Sequence, residues 1–378
     1  MNPESKSDWR VGVLYSRSGV TSVTESEHFF GTALAIEEIN NSGGILGKKL
    51  FPVVYDPKGD PDEYRRLATK MLLEEDINVI FGCSRSSSRK AVLPIVERTN
   101  GLLWYCSIYE GFEYSQNVIY TGAVPNQNSI QLAAYLLQNK GKRFYLIGSD
   151  YLYPRESNRI MRDMVESHGG EILDEIYLKL DAGKQDVKEV IEDISKIQPD
   201  VIFSTLVGMG AREFYKQYRE QGLEPSRMPI ASLTMAEEEI RMIGSELCEG
   251  HITSATYFGA LENPCNLRFL ALWDSKYSGK PASMWSEMAY NQVHLFAKGL
   301  ERSGTLDTQK LVQAVHKVNY DSPEGLLAID ADSNHCSLTP RIGVCQSNGQ
   351  FKIVWESSSS IKADPYLSTY GFAEFWLK

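Results

Sequence analysis

Hydroxyl-bearing side chains are concentrated in two segments where an apolar strand pattern gives way to a helical one. The first segment contains Ser84, Ser86 and two further serines and follows a strand predicted at 77–80. The second contains Tyr151 and follows a strand predicted at 144–147. Hydroxyl groups donate and accept hydrogen bonds without carrying a charge. This chemistry indicates binding of a small, neutral, polar ligand.

A third segment carries Tyr105 and Ser107 at the end of an apolar strand predicted at 102–106. If this strand end faces the same cleft, it adds an aromatic wall and another hydroxyl; the alternative is that these side chains belong to the core or the surface. Hydroxyls and phenols together satisfy the donors and the acceptor of an amide, whereas a carboxylate or ammonium ligand usually requires a charged partner.

The serine run also has a simpler explanation, because serine is a preferred residue at the start of a helix. Capping accounts for one of these serines and does not require the others. Arg89 and Lys90 follow in the first helical turn, where the helix dipole disfavours positive charge. We therefore expect both side chains to face solvent or a carboxylate such as Glu110.

The elements that position these residues alternate between strand and helix. Apolar strand patterns and amphipathic helical patterns follow one another up to about residue 122, and the cycle restarts after the turn at 123–128. Such alternation is typical of βαβ units and parallel sheets. The sequence predicts an α/β fold with two doubly wound parallel-sheet lobes. Since ligands in such sheets bind beyond the carboxyl ends of the strands, we expect a cleft between the lobes.

The last third of the chain departs from this alternation. Helices are predicted at 265–277, 284–302 and 307–316, followed by strands at 326–329, 341–345 and 351–355. Asn348-Gly349 favours a hairpin between the last two strands.

Size and composition restrict the classes of protein. A chain of 378 residues favours two domains, and its net charge of -10 argues against a direct nucleic-acid surface. The first residues show no secretory signal pattern, so we expect a cytoplasmic protein; a periplasmic or lipid-anchored extracellular protein is the alternative if a signal was removed. The dispersed cysteines predict reduced thiols, although Cys336 and Cys345 could pair in an exported protein.

Motifs for catalysis and cofactor binding are incomplete in this sequence. Gly208-Met209-Gly210 begins like a dinucleotide fingerprint but lacks the third glycine, and neither a P-loop, a nucleophile elbow nor a paired-histidine metal motif occurs. We therefore expect a non-catalytic protein without cofactor or metal. The alternative is an enzyme that uses Cys83 or Cys106 as nucleophile, although no base of suitable spacing is visible.

Several segments resemble one known family. They are Ser88 to Pro94, Tyr109 to Ser115, Pro125 to Asn128, Gly148 to Tyr151, Tyr153 to Ser157 and Ile230 to Thr234. The chain resembles the amide-binding negative regulators of bacterial aliphatic amidase operons and the urea and short-chain amide binding proteins of ABC transporters. The resemblance implies the type I periplasmic binding protein fold, with lobes at 9–122 plus 255–325 and 123–254 plus 326–378, joined by a hinge of three crossings.

The same resemblance implies the ligand-binding residues. Ser86 matches the serine that contacts the amide in the regulator, and Tyr105 and Ser107 match its strand-end tyrosine and threonine. Tyr151 matches the tyrosine contributed by the second lobe, and Thr205 occupies a strand end where the family also has a threonine. Ser84 also belongs to this predicted site, but the regulator has a tyrosine in its place, so the pocket should be larger or wetter.

The resemblance further implies the function and partners. The first expectation is a sensor that binds a short aliphatic amide or urea and controls an RNA-binding antiterminator protein. The alternative is the substrate-binding component of a urea or short-chain amide ABC transporter, whose partner is the permease. A homo-oligomer is left open.

Overall fold

The structure is a computed structural model and describes residues 8–19 and 21–368. Its strands are β1 (Trp9–Leu14), β2 (Leu50–Tyr55), β3 (Val79–Gly82), β4 (Leu102–Tyr105), β5 (Val118–Tyr120), β6 (Arg143–Ser149), β7 (Glu171–Leu178), β8 (Val201–Thr205), β9 (Ile230–Ser232), β10 (Ile252–Ala255), β11 (Asn319–Ser322), β12 (Gly325–Ile329), β13 (Cys336–Ser337), β14 (Arg341–Cys345) and β15 (Phe351–Glu356).

Helices separate most of the strands up to β9. They are α1 (Ser22–Asn41), α2 (Pro61–Leu73), α3 (Ser86–Arg98), α4 (Ser129–Asn139), α5 (Leu152–Ser167), α6 (Lys184–Ile197), α7 (Gly208–Glu220), α8 (Glu237–Ile243), α9 (Ser245–Cys248), α10 (Pro264–Tyr277), α11 (Met284–Ser303) and α12 (Thr308–Val315). A short 3-10 helix covers Pro125–Gln127. No helix in the described ranges is both long enough and apolar enough to cross a bilayer.

The first lobe is built on a parallel sheet with the strand order β2-β1-β3-β4-β5. Strands β3 and β4 are buried along their whole length, as expected for a parallel sheet covered by helices on both faces. Helix α11 packs on this sheet, where the ring of Phe296 lies 5.2 Å from that of Phe81 and 6.0 Å from that of Trp104.

The second lobe is built on a sheet with the order β15-β14-β10-β9-β8-β6-β7. Strands β6 to β10 run parallel, while β14 and β15 are antiparallel to their neighbours. The predicted hairpin at Asn348-Gly349 joins these two strands, and Gly349 has the positive φ of 80° that such turns require.

A small antiparallel sheet of β11, β12 and β13 lies against the first lobe. The backbone NH of Tyr120 donates to the carbonyl of Asn334 at 2.9 Å, and Tyr120 forms a bridge with His335. The chain reaches β14 of the second sheet only after residues 338–340. The predicted change of lobe at 325 therefore falls within this small sheet, and the lobe boundaries stay a prediction.

The predicted α/β fold of two doubly wound lobes is confirmed. The sequence did not predict β5, β10, β11 and β13, which span only two to four residues each. In strands this short, neither alternation nor an apolar run can be distinguished from a loop.

Candidate ligand-binding cleft

A cavity of about 550 Å³ lies between the two lobes at the carboxyl ends of their strands. Four of the predicted ligand-binding residues line it together: Ser84, Ser86, Ser107 and Tyr151. The first three follow strands of the first lobe, and Tyr151 precedes α5 of the second. The structure thus brings hydroxyl groups from both lobes to one space; their contact with a ligand stays a prediction.

Ser84, Ser86 and Ser107 form one side of the cavity, the serine wall. Hydrogen bonds within the first lobe hold these side chains in place. Ser86, the first residue of α3, is 3% exposed, and its hydroxyl donates to Glu110 Oε2. The hydroxyls of Ser84 and Ser107 lie 3.4 Å apart and share one hydrogen bond. Arg85 occupies the cap position before α3 but supplies no side-chain cap.

Arg89 lies directly behind this wall and is completely buried. Its Nε is 2.6 Å from Glu113 Oε1, and its Nη2 is 3.4 Å from Glu110 Oε1. The guanidinium also lies over the rings of Tyr105 and Tyr109, at 4.6 and 4.4 Å from their centroids. Solvent exposure, one of the two expectations for Arg89, is therefore wrong, whereas pairing with a carboxylate such as Glu110 is correct.

This arrangement lowers the pKa of the Glu113 carboxyl. Burial favours its neutral form, but the charges and hydrogen bonds of Arg89 and Lys90 outweigh burial and hold its pKa below the ordinary value. Lys90 Nζ lies 3.0 Å from Glu113 Oε2 and is itself half exposed. Two cations and two carboxylates thus form one supporting network behind the serines.

Tyr105 and Thr205, the other two predicted ligand-binding residues, do not line the cavity. Successive side chains of a strand point to opposite faces of the sheet. Tyr105 is therefore buried on the α2–α3 side, where its hydroxyl donates to the carbonyl of Ser84 at 2.5 Å. The hydroxyl of Thr205 is likewise used inside the second lobe, donating to Asn158 Oδ1 at 3.1 Å.

Most of the remaining cavity wall is apolar. The principal side chains are those of Val23, Ile108, Met209, Met235, Met242 and Trp285. None of these side chains was predicted from the sequence to belong to the site. The Gly208-Met209-Gly210 turn could have been found, because it follows β8 and opens α7 at the same edge as the other turns. Trp285 carries no such signal, since its helix reaches the cleft only through packing against the first sheet.

Charged groups form a minority of the cavity lining, namely Arg85, Arg212, Asp181 and Glu239. Their presence corrects the expectation of a site made from uncharged groups alone. Arg85 Nη2 donates to the carbonyl of Gly59, while its buried Nε has no hydrogen-bond partner among the described residues. The pKa of Glu239 is raised to about 7, chiefly by burial, and its carboxyl accepts from Trp285 Nε1 at 3.1 Å.

The chemistry of the thiols argues against the enzyme alternative. Cys83 and Cys106 are fully buried, and burial raises the pKa of both, that of Cys106 to about 12. Neither thiol lines the cavity, and a protonated, buried thiol is a poor nucleophile. All six cysteines are free. Within the described part of the chain, no group of three or more His, Cys, Asp or Glu residues could hold a metal ion.

Comparison with known proteins places the chain in a family. The sequence profile described as "Periplasmic binding protein domain" matches residues 9–371. The Leu/Ile/Val-binding protein homolog 6 of Brucella melitensis is 26% identical over 86% of this chain and 84% of its own length. The leucine-, isoleucine-, valine-, threonine- and alanine-binding protein of Pseudomonas aeruginosa is 24% identical, covering 79% of this chain and 80% of the relative.

A solved structure supports the same fold. The solute-binding protein of an ABC transporter from Rhodopseudomonas palustris BisB5, in complex with 3,4-dihydroxybenzoic acid, superposes with a TM-score of 0.85 at 20% identity. The alignment covers 94% of this chain and 99% of that one.

These comparisons change two expectations. The predicted cytoplasmic location is wrong. The matching family is described as periplasmic, and the similar proteins are binding proteins of the same kind, so the comparisons point to the periplasm. They also favour the transporter alternative over the regulator and give no support to an antiterminator partner. With a profile match over nearly the whole length and this two-lobe fold, the chain belongs to the periplasmic binding protein family of type I.

Proposed function

We propose that this protein is the substrate-binding component of an ABC transporter and that it binds a small organic molecule with a polar head and an apolar body. The observation that carries the proposal is the cavity between the lobes, which combines a serine wall with a mainly apolar wall. Ligand bound between the lobes stabilises the closed arrangement, and a transporter permease is the partner that would receive it.

Cavity size and relatives guide the choice of ligand class. A volume of about 550 Å³ lies in the usual range for small-molecule sites and exceeds what urea or a short amide would fill. The relatives are described as binding aliphatic amino acids, and the solved structure holds an aromatic acid. Both classes have an apolar body that suits Met209, Met242 and Trp285. We propose one of these two classes, with no catalytic step.

Thermal unfolding with a panel of ligands tests the proposal. The panel contains leucine, isoleucine, 3,4-dihydroxybenzoate, butyramide and urea, with glucose as the control. A ligand that binds only the native state stabilises it by about 2.7 kcal/mol at a hundredfold excess over its Kd. We expect leucine, isoleucine or the aromatic acid to raise the melting temperature and glucose to leave it unchanged. A panel without any shift would contradict the proposal.

Substitution of Tyr151 tests whether the cleft is the binding site. Tyr151→Phe removes a hydroxyl from the second-lobe wall, and we expect it to weaken binding of the best panel ligand by about 1–3 kcal/mol, the cost of a lost buried hydrogen bond. Titration calorimetry measures the change. The control is Tyr114→Phe, because Tyr114 is exposed and lies outside the cavity lining. Equal affinities of both variants would place the ligand elsewhere.

A further inference from the structure

We propose that residues 357–368 form a strap that leaves the second lobe, crosses the hinge and holds the loop 109–115 behind the serine wall, so that tight ligand binding requires the docked strap. The inference rests on the proposed function, which places the ligand in this cleft. It adds a fourth connection to the three crossings expected from the sequence. It also gives a role in binding to a segment that lies outside the cavity lining.

The first step is the course of the strap. It begins after β15 of the second sheet, where the backbone NH of Ser357 donates to the carbonyl of Pro340 at 3.0 Å. It continues to the first lobe, where Ala363 is 6% exposed and belongs to the same buried cluster as Tyr105 and Tyr109. The strap therefore connects the two lobes.

The second step is the contact of the strap with the hinge. The backbone NH of Ile361 donates to the carbonyl of Leu338 at 2.7 Å, and the NH of Leu338 donates back at 3.1 Å. Leu338 lies in the segment that leads to β14. Gln127, between β5 and α4, is fully buried, and its Nε2 donates to the carbonyl of Ile361 at 2.8 Å. The strap is thus bonded to two of the segments along which the chain passes between the lobes.

The third step is the conformation of the loop that the strap holds. The backbone NH of Phe112 donates to the carbonyl of Pro365 at 2.7 Å. Phe112 has a φ of 57°, in the left-handed region that is unfavourable for a residue with a side chain. Gly111 packs so closely on the strap that an added Cβ would clash with the carbonyl oxygen of Pro365. Because the bond to Pro365 offsets the cost at Phe112, release of the strap should let the loop relax to another conformation.

The fourth step links this loop to the cleft. The loop carries Glu110, which accepts from Ser86 of the serine wall, and Glu113, which belongs to the ion-pair network behind that wall. The ring of Phe112 also lies 5.4 Å from the guanidinium of Arg159, on α5 of the second lobe. The loop therefore contacts both lobes, and its relaxation should disturb the serine wall and the contact with α5 together.

A pair of new charges on the strap tests whether it holds the loop. Ala363→Asp places an unpaired carboxylate in the buried cluster, which forces the strap off the first lobe. Ser360→Asp adds the same charge at an exposed position of the strap and is the control. Amide hydrogen exchange without ligand should become at least about tenfold faster in residues 109–115 of Ala363→Asp and keep the wild-type rate in the control. A loop that stays protected in folded Ala363→Asp would overturn the inference.

Ligand affinity shows whether the docked strap serves binding. Titration calorimetry uses the panel ligand that raises the melting temperature most. We expect the Kd to rise about tenfold in Ala363→Asp and to stay unchanged in Ser360→Asp. A strap with a merely structural role would lower the melting temperature and leave the Kd unchanged, which contradicts the inference. A wild type that binds no ligand of the panel contradicts the proposed function and with it the role in binding, whereas the exchange rates decide separately whether the strap holds the loop.

A second pair of variants covers the case in which the first charged variant does not fold. Asn126 donates from Nδ2 to the carbonyl of Lys362 and accepts from the backbone NH of Asp364, both at 2.9 Å. Asn126→Ala removes both bonds, so it should raise the exchange rate of the loop and the Kd in the same direction. The control is Asn139→Ala, because Asn139 is exposed and its side chain donates to a carbonyl of its own helix α4. Equal exchange rates and equal affinities of these two variants would refute the role of the strap.

Discussion

At the scale of single residues, Arg89 shows how a charge can be placed behind a ligand site. A guanidinium at the start of a helix is unfavourable for the dipole, and the sequence alone leaves its surroundings open. In the structure, two carboxylates and two aromatic rings surround it. The network supports the loop that carries Glu110 and thereby orients Ser86.

Replacement of Arg89 should destabilise the protein strongly. Arg89→Ala leaves Glu110 and Glu113 buried without their main counter-charge, and removal of one partner from a buried ion pair costs about 3–5 kcal/mol. Urea denaturation measures the free energy of unfolding. Arg66→Ala is the control, since Arg66 pairs with Glu63 in solvent and should change stability little. A similar small loss in both variants would contradict the structural role of Arg89.

At the scale of elements, the first lobe depends on the close approach of α1 and α11. The Cα of Gly31 on α1 lies so near α11 that an added Cβ would stand 1.9 Å from the carbonyl oxygen of Ser286. Such a contact with backbone atoms cannot be relieved by turning a side chain. The position of α11, which brings Trp285 to the cleft, therefore requires glycine at residue 31.

A pair of glycine substitutions tests this packing. Gly31→Ala should force α1 and α11 apart, lowering the free energy of unfolding by about 3 kcal/mol, as expected for a strongly overpacked core. Gly210→Ala is the matched control in α7, where an added Cβ meets no atom within 4 Å. Alanine should raise stability there by up to about 1 kcal/mol through its higher helix propensity. Thermal or urea unfolding distinguishes the two, and equal effects would contradict the packing argument.

At the scale of the whole molecule, three acidic residues, Glu27, Glu238 and Glu239, lie close together where the lobes meet next to the cavity. Lys280 Nζ of the first lobe lies 3.3 Å from Glu238 Oε1 of the second, and Trp285 donates to Glu239. Glu27 of α1 is buried beside them and accepts from Ser283 Oγ at 3.4 Å. Burial first, and then the negative charges of Glu238 and Glu239, raise its pKa to about 8, although Lys280 opposes the shift.

This shift predicts a pH dependence of stability with a definite sign. Because the folded state retains on Glu27 a proton that the unfolded state releases at its ordinary pKa of 4.5, the free energy of unfolding should fall as the pH rises from about 5 to 8. Glu27→Gln should remove that part of the slope, on the order of 1 kcal/mol or more over the window.

Urea denaturation at several pH values compares the slopes. The control is Glu37→Gln, because Glu37 lies on the same helix but is 47% exposed and pairs with Lys276. It should keep the slope of the wild type. Equal slopes for the wild type and Glu27→Gln would show that Glu27 carries no extra proton in the folded state.

The sequence by itself determined the α/β alternation and the turns that carry Ser84, Ser86, Ser107 and Tyr151. Those features follow from local periodicity and from the rule that parallel strands end at one edge of their sheet. Strands as short as β5 and β10 were not predicted, because so few residues show no clear period. The sequence also suggested a cytoplasmic location, which the family contradicts.

Only the tertiary structure decided which side chains face the cavity. It turned Tyr105 and Thr205 into the interior, brought Trp285 to the cleft from a helix far along the chain, and buried Arg89 between Glu110 and Glu113. The physical reason is that burial and electrostatic pairing are set by segments distant in sequence. Local spacing predicts where a strand ends, but the packing of both lobes selects which polar atoms remain available to a ligand.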